Sequence, residues 1–63
     1  SRGAEGVREA AAILTARDGD FTAATLAEYL DVTTRTAQRH IRRMLDGGSV
    51  MERDGRAHHY VTV

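Results

Sequence analysis

The segment from Leu26 to Ile41, LAEYLDVTTRTAQRHI, constrains this chain more than any other, because it suits two short helices joined by a tight turn. Leu26, Ala27 and Leu30 recur at helical spacing, and Ala27 is small enough to let another helix cross closely. Asp31 stands where that helix must stop, and aspartate is one of the few non-glycine residues that enters the left-handed region at modest cost. Val32 is expected as the apolar pin of the turn. Thr33 is expected to cap the next helix, its hydroxyl accepting a bond from a backbone N–H that has no partner within the helix. That helix then starts at about Thr34.

Two faces separate along the second of these helices. Ala37, Ile41, Met44 and Leu45 follow i, i+4, i+7, i+8 spacing and form the stripe that seeks a core. Arg35, Arg39, Arg42 and Arg43 fall within an arc of roughly 100° on the other side. Asp46 shares that side near the end, where Gly47-Gly48 supplies a residue tolerant of positive φ and closes the helix. Beyond the glycines the pattern becomes extended. Residues 49–53 and 56–63 flank Asp54-Gly55, a dipeptide that favours the type I′ turn of a two-residue hairpin, with Arg53 and Arg56 on either side of the tip.

A basic hairpin directly after a basic helix is the layout of a winged helix. The run Leu26-Ala27-Glu28, Leu30-Asp31-Val32-Thr33, Arg35-Thr36, Arg39 and Ile41 resembles the winged helix-turn-helix of bacterial DeoR-type and related transcriptional regulators, and Gly47-Gly48 followed by Val50-Met51-Glu52-Arg53-Asp54-Gly55 resembles their wing. The resemblance covers about residues 5–63. It implies a mainly α fold with a small β-hairpin (α+β): a three-helix winged helix-turn-helix that binds duplex DNA sequence-selectively. Two departures stand out, Asp31 where that family usually has glycine and Ala37 where it usually has valine or isoleucine. Both preserve the fold, and both are expected to lower stability before they affect recognition.

The rest of the chain is read as support. Val7, Ala10, Ala11 and Leu14 make one face of a first helix over about 5–16, with Ile13 at its edge, and Asp18-Gly19-Asp20 breaks it. Phe21 precedes Thr22, the expected cap of a helix over about 23–30, and lies at the spacing of a hydrophobic staple with Leu26; it could equally pair with the wing. The recognition helix is placed at about 34–46 and the hairpin at about 49–63. Ser1 to Ala4 read as a linker or cloning remnant, making 5–63 a domain cut from a longer protein.

Size bounds the function. Sixty-three residues form one small domain, with no room for a catalytic cleft on a scaffold. The acidic residues have no nucleophile or metal partner at a recognisable spacing, and no phosphate-cradling glycine motif occurs. An enzyme is therefore not expected, nor is a cofactor or metal. The absence of cysteine suits a reducing cytoplasm, and no apolar run is long enough to cross a membrane. His58-His59 invites a metal reading, but adjacent strand residues point to opposite faces. Tyr60, Val61 and Val63 read as sheet and core, and the side of the wheel occupied by His40 suits a partly buried, hydrogen-bonded histidine.

Formal net charge is zero, yet the charges are sorted. Residues 1–34 carry three arginines against six carboxylates, and residues 35–63 carry six arginines against three. The cations collect where DNA is expected, and the acids on elements expected to face away. Within the recognition helix, Thr34, Arg35, Thr36, Gln38 and Arg39 are candidates for base edges, since arginine can make paired bonds to guanine and glutamine to adenine. Thr33, Arg42, Arg43, Arg53 and Arg56 are candidates for phosphates. Each has a bland rival: the arginines as a solvated helix face, Thr36 as packing against the preceding helix. The partners expected are double-stranded DNA, other domains of a parent regulator, and a second copy in the full-length protein. The alternative is a winged helix used for protein interaction or dimerisation, which zero net charge favours.

Overall fold

The computed structural model describes residues 3–63; Ser1 and Arg2, half of the expected linker, lie outside the described residues. Three helices are followed by a two-stranded antiparallel hairpin: α1 (Ala4–Asp18), α2 (Ala23–Leu30), α3 (Thr34–Asp46), β1 (Val50–Arg53) and β2 (Arg56–Thr62). Helix α1 takes in Ala4 and runs two residues beyond Ala16, ending where Gly19 adopts φ 89°.

Each helix stops for a local reason. Asp31 sits at φ 58°, ψ 50°, with its N–H on Glu28 O and the N–H of Val32 on Ala27 O, the paired bonds of a Schellman cap. Gly48 does the same for α3 at φ 77°, its N–H reaching Leu45 O and that of Ser49 reaching Met44 O. The starts of α2 and α3 are held by threonine: Thr22 Oγ1 accepts from Thr25 N at 3.3 Å, and Thr33 Oγ1 from Thr36 N at 3.1 Å. Val32 does not pin the turn, being 37% exposed; the backbone bonds at Asp31 hold it instead.

The core draws on every element. Val7, Ala10, Ala11 and Leu14 of α1 meet Leu26, Ala27 and Leu30 of α2, Ala37, Ile41 and Met44 of α3, and Phe21 and Val50. Leu45 and Tyr60 pack against this cluster half-buried, and among the described residues no polar or charged side chain is buried. Val63, expected in the sheet or core, is 81% exposed at the end of the chain.

The hairpin begins as its turn dictates: Asp54 at φ 50° and Gly55 at φ 72° carry the two positive φ angles of a type I′ turn, and Arg53 pairs with Arg56. Its pairing then shifts. Glu52 pairs with Tyr60, Met51 with Val61 and Val50 with Thr62, so Ala57, His58 and His59 have no partner on β1, and His58 turns to φ 68°. An odd number of extra residues transfers the remainder of β2 to the opposite face. Tyr60 thereby shares the inner side with buried Val50 and packs against Phe21, ring centroids 5.9 Å apart and planes tilted by 43°. Phe21 and Tyr60 also exchange both backbone bonds, each at 2.9 Å. The staple position and the strand position of Phe21 thus coexist. Thr15 completes the attachment: its hydroxyl donates to Ala11 O at 2.8 Å and accepts from Thr62 N at 3.2 Å, tying α1 to β2.

Candidate nucleic-acid interface

Helix α3 turns its apolar stripe inward because Ala37, Ile41 and Met44 are the residues α2 and α1 can cover. Arg35, Arg39, Arg42 and Arg43 are consequently all exposed on the outer side. Arg42 reaches Asp46 only loosely, at 3.8 Å between side chains that are both largely exposed, a pair worth little in water. Among the described residues Arg35, Arg39 and Arg43 have no carboxylate at ion-pair distance. A helix that presents four arginines against one carboxylate offers a strong local positive field in a molecule of zero net charge.

The front of α3 is partly committed to itself. Thr33 Oγ1, besides accepting from Thr36 N, donates to Thr36 Oγ1 at 3.1 Å, so its single proton is spent within the cap. Thr36 is half-buried; Thr34, Arg35, Gln38 and Arg39 are exposed. These four therefore stand open at the first turns of the helix.

The wing differs from expectation in its charge. Arg53 Nη1 donates to Asp20 Oδ2 at 3.0 Å, and its guanidinium lies against Gly19, where an added Cβ would meet Nη1 at 3.3 Å. Asp54 approaches the same arginine at 3.9 Å. Asp20 therefore does not face away from the basic half: the chain folds so that the loop between α1 and α2 meets the base of the wing. His59 joins the same carboxylate, with Nδ1 3.5 Å from Asp20 Oδ2, too poorly aimed for a hydrogen bond and otherwise without a partner. Arg56 is exposed and, among the described residues, has no ion-pair partner.

The histidines separate, and sequence alternation did not reveal how. His59 turns to Asp20, whereas exposed His58 borders a hollow shared with Thr22, Gln38, Arg42 and Tyr60. His40 is half-buried beside Arg43 in another hollow at the start of α1. Elsewhere one pair perturbs its own titration. Arg17 Nε and Nη2 donate to Asp18 at 2.9 and 2.8 Å, and these bonds, reinforced by charge attraction, hold the Asp18 carboxyl below its ordinary range.

No helix among the described residues is long and apolar enough to cross a membrane. No curated protein and no solved structure matches the chain significantly. A protein family does, and its match runs from the core residue Val7 of α1 through both capped helices and the Asp54-Gly55 turn to Ala57. On that match over residues 7–57, the chain belongs to the helix-turn-helix (HTH) domain family.

Proposed function

We propose that this domain binds duplex DNA sequence-selectively, with α3 in the major groove and the hairpin against the neighbouring backbone, as the DNA-binding part of a larger bacterial, phage or plasmid transcriptional regulator of the DeoR type. The observation that carries the reading is the exposed arginine face of α3 on a helix-turn-helix frame. Arg35 and Arg39 are the principal base readers, flanked by Thr34, Thr36 and Gln38; each well-made bidentate contact discriminates by about 1–3 kcal/mol. Arg42, Arg43 and Arg56 hold phosphates and set register. Thr33 serves first as the cap, and Arg53 reaches a phosphate only by leaving Asp20. A dimeric parent would read paired half-sites one helical turn, or a multiple of one, apart.

A titration of the labelled domain with random-sequence duplex at low and then moderate salt tests this. Amide shifts concentrated in residues 33–43 and near Arg56, fading with salt, are the expected result. The absence of shifts at low salt would favour a second reading, a protein-interaction module, to which zero net charge and the exposed Met51 and Val63 are suited.

A further inference from the structure

The hollow between the start of α2, the flank of α3 and the wing has a volume of about 430 Å³ and is open to solvent. Five of the side chains that line it can donate hydrogen bonds: Thr22 at the start of α2, Gln38 and Arg42 from α3, and His58 and Tyr60 from β2; of these Arg42 alone is always charged. None of its lining residues is a carboxylate. Asp46, which approaches Arg42 at 3.8 Å, does not line it. The titratable or charged groups bordering it are Arg42, His58 and Tyr60, while His59 and Asp20 pair separately.

His58 owes its place to the irregularity in β2. Without the extra residues it would stand opposite Met51 on a regular ladder; instead it adopts φ 68° and borders the hollow. Bulges of this kind serve to re-aim a side chain, and histidine is among the non-glycine residues that tolerate the left-handed region best. Imidazole is also the side chain that changes charge between roughly pH 5 and 8. Protonated, His58 brings a second cation beside Arg42; neutral, it can still donate one hydrogen bond.

We infer that this hollow seats one phosphodiester of the DNA backbone between Arg42 and His58, and that protonation of His58 tightens the domain on DNA of any sequence. The inference rests on the DNA-binding reading and adds to it a contact and a pH dependence. Arg42 supplies the standing charge and His58 supplies the charge that appears on acidification, while Gln38, which borders the same hollow, stays with the base edges.

The test is affinity for one fixed duplex as a function of salt, at pH 6 and pH 8, for the unaltered domain and for His58→Asn, Arg42→Gln, His59→Gln and His40→Gln. Asparagine keeps the left-handed backbone accessible, so the fold at position 58 is retained. The unaltered domain is expected to bind more tightly at pH 6, by up to about eightfold at 0.1 M salt, the counterion-release gain of one added phosphate contact. Its salt slope should steepen by about one unit on acidification. His58→Asn should abolish both changes, and His59→Gln and His40→Gln should keep them. Arg42→Gln should flatten the slope by about one at both pH values. Duplex binding whose pH response survives His58→Asn would overturn the phosphate seat and leave the DNA reading standing. Failure of the unaltered domain to bind duplex at either pH would overturn both.

Discussion

Helix α3 and the wing were expected to be two basic surfaces, and Arg53 of the wing is used in the opposite way to the arginines of α3. On α3 the arginines stand on the outer face with one loosely held carboxylate among them. In the hairpin, Arg53 and Arg56 are matched by Glu52 and Asp54, and Arg53 is further bound to Asp20, a carboxylate from a loop 33 residues earlier. Arginine thus stands open to solvent on α3 and at Arg56, whereas Arg53 ties the wing to the loop between α1 and α2. What separates them is the neighbourhood that folding creates: among the described residues the α3 arginines meet one loosely held carboxylate, whereas the base of the wing meets the α1–α2 loop.

The comparison breaks most completely if the wing loses its anchor. Phe21→Ala removes a buried ring that both packs against Tyr60 and fills the core, and should cost about 3–5 kcal/mol, a large share of the stability of so small a domain. Chemical denaturation would register it as a fall in midpoint. Next, Arg39→Ala should weaken binding to a selected operator by about 1–3 kcal/mol and relax base preference. Arg53→Ala should change DNA affinity far less. Equal losses for the two would erase the distinction between the surfaces. Gly55→Ala comes third: an added Cβ there meets nothing within 4 Å, so the cost is that of φ 72° alone, about 1–2 kcal/mol, read in thermal unfolding.

The smallest effect concerns the pair away from both surfaces. Arg17→Ala should return the Asp18 carboxyl upward toward its ordinary value, followed by carboxyl NMR. Because the folded-state value is depressed, any linked stability is present above the unfolded-state value and is lost as pH falls through the folded one. The pair is solvent-exposed, so unfolding curves at neutral pH should not move measurably.

Local chemistry was legible in the sequence because it depends on near neighbours. The threonine caps, the left-handed Asp31, the glycine closing α3 and the Asp54-Gly55 turn each act within a few residues, and each is found in its expected place. The apolar stripe of α3, and with it the exposed arginine face, followed from helical period alone. The second strand was not legible. Alternation presumes an unbroken ladder, and the shift after Glu52 satisfies a demand from elsewhere, that Tyr60 pair with Phe21. The Arg53–Asp20 tie and the hydrogen bond from Thr62 N–H to Thr15 were invisible for the same reason, since both join residues distant in the chain. Val32 looked apolar enough to be buried, but the cap that places Asp31 in the left-handed region leaves Val32 facing water.

The way β2 is flanked also bears on how copies of this domain can meet. Strand β2 is paired with β1 on one side and bridged by Phe21 at Tyr60 on the other, and the far side of β1 is an open margin of the hairpin. That margin is four residues long and carries Glu52 and Arg53, features that blunt a strand as a template for another chain. A second copy approaching along β1 would meet a short, charged edge. Such an edge works against the edge-to-edge aggregation to which small β-containing proteins are prone.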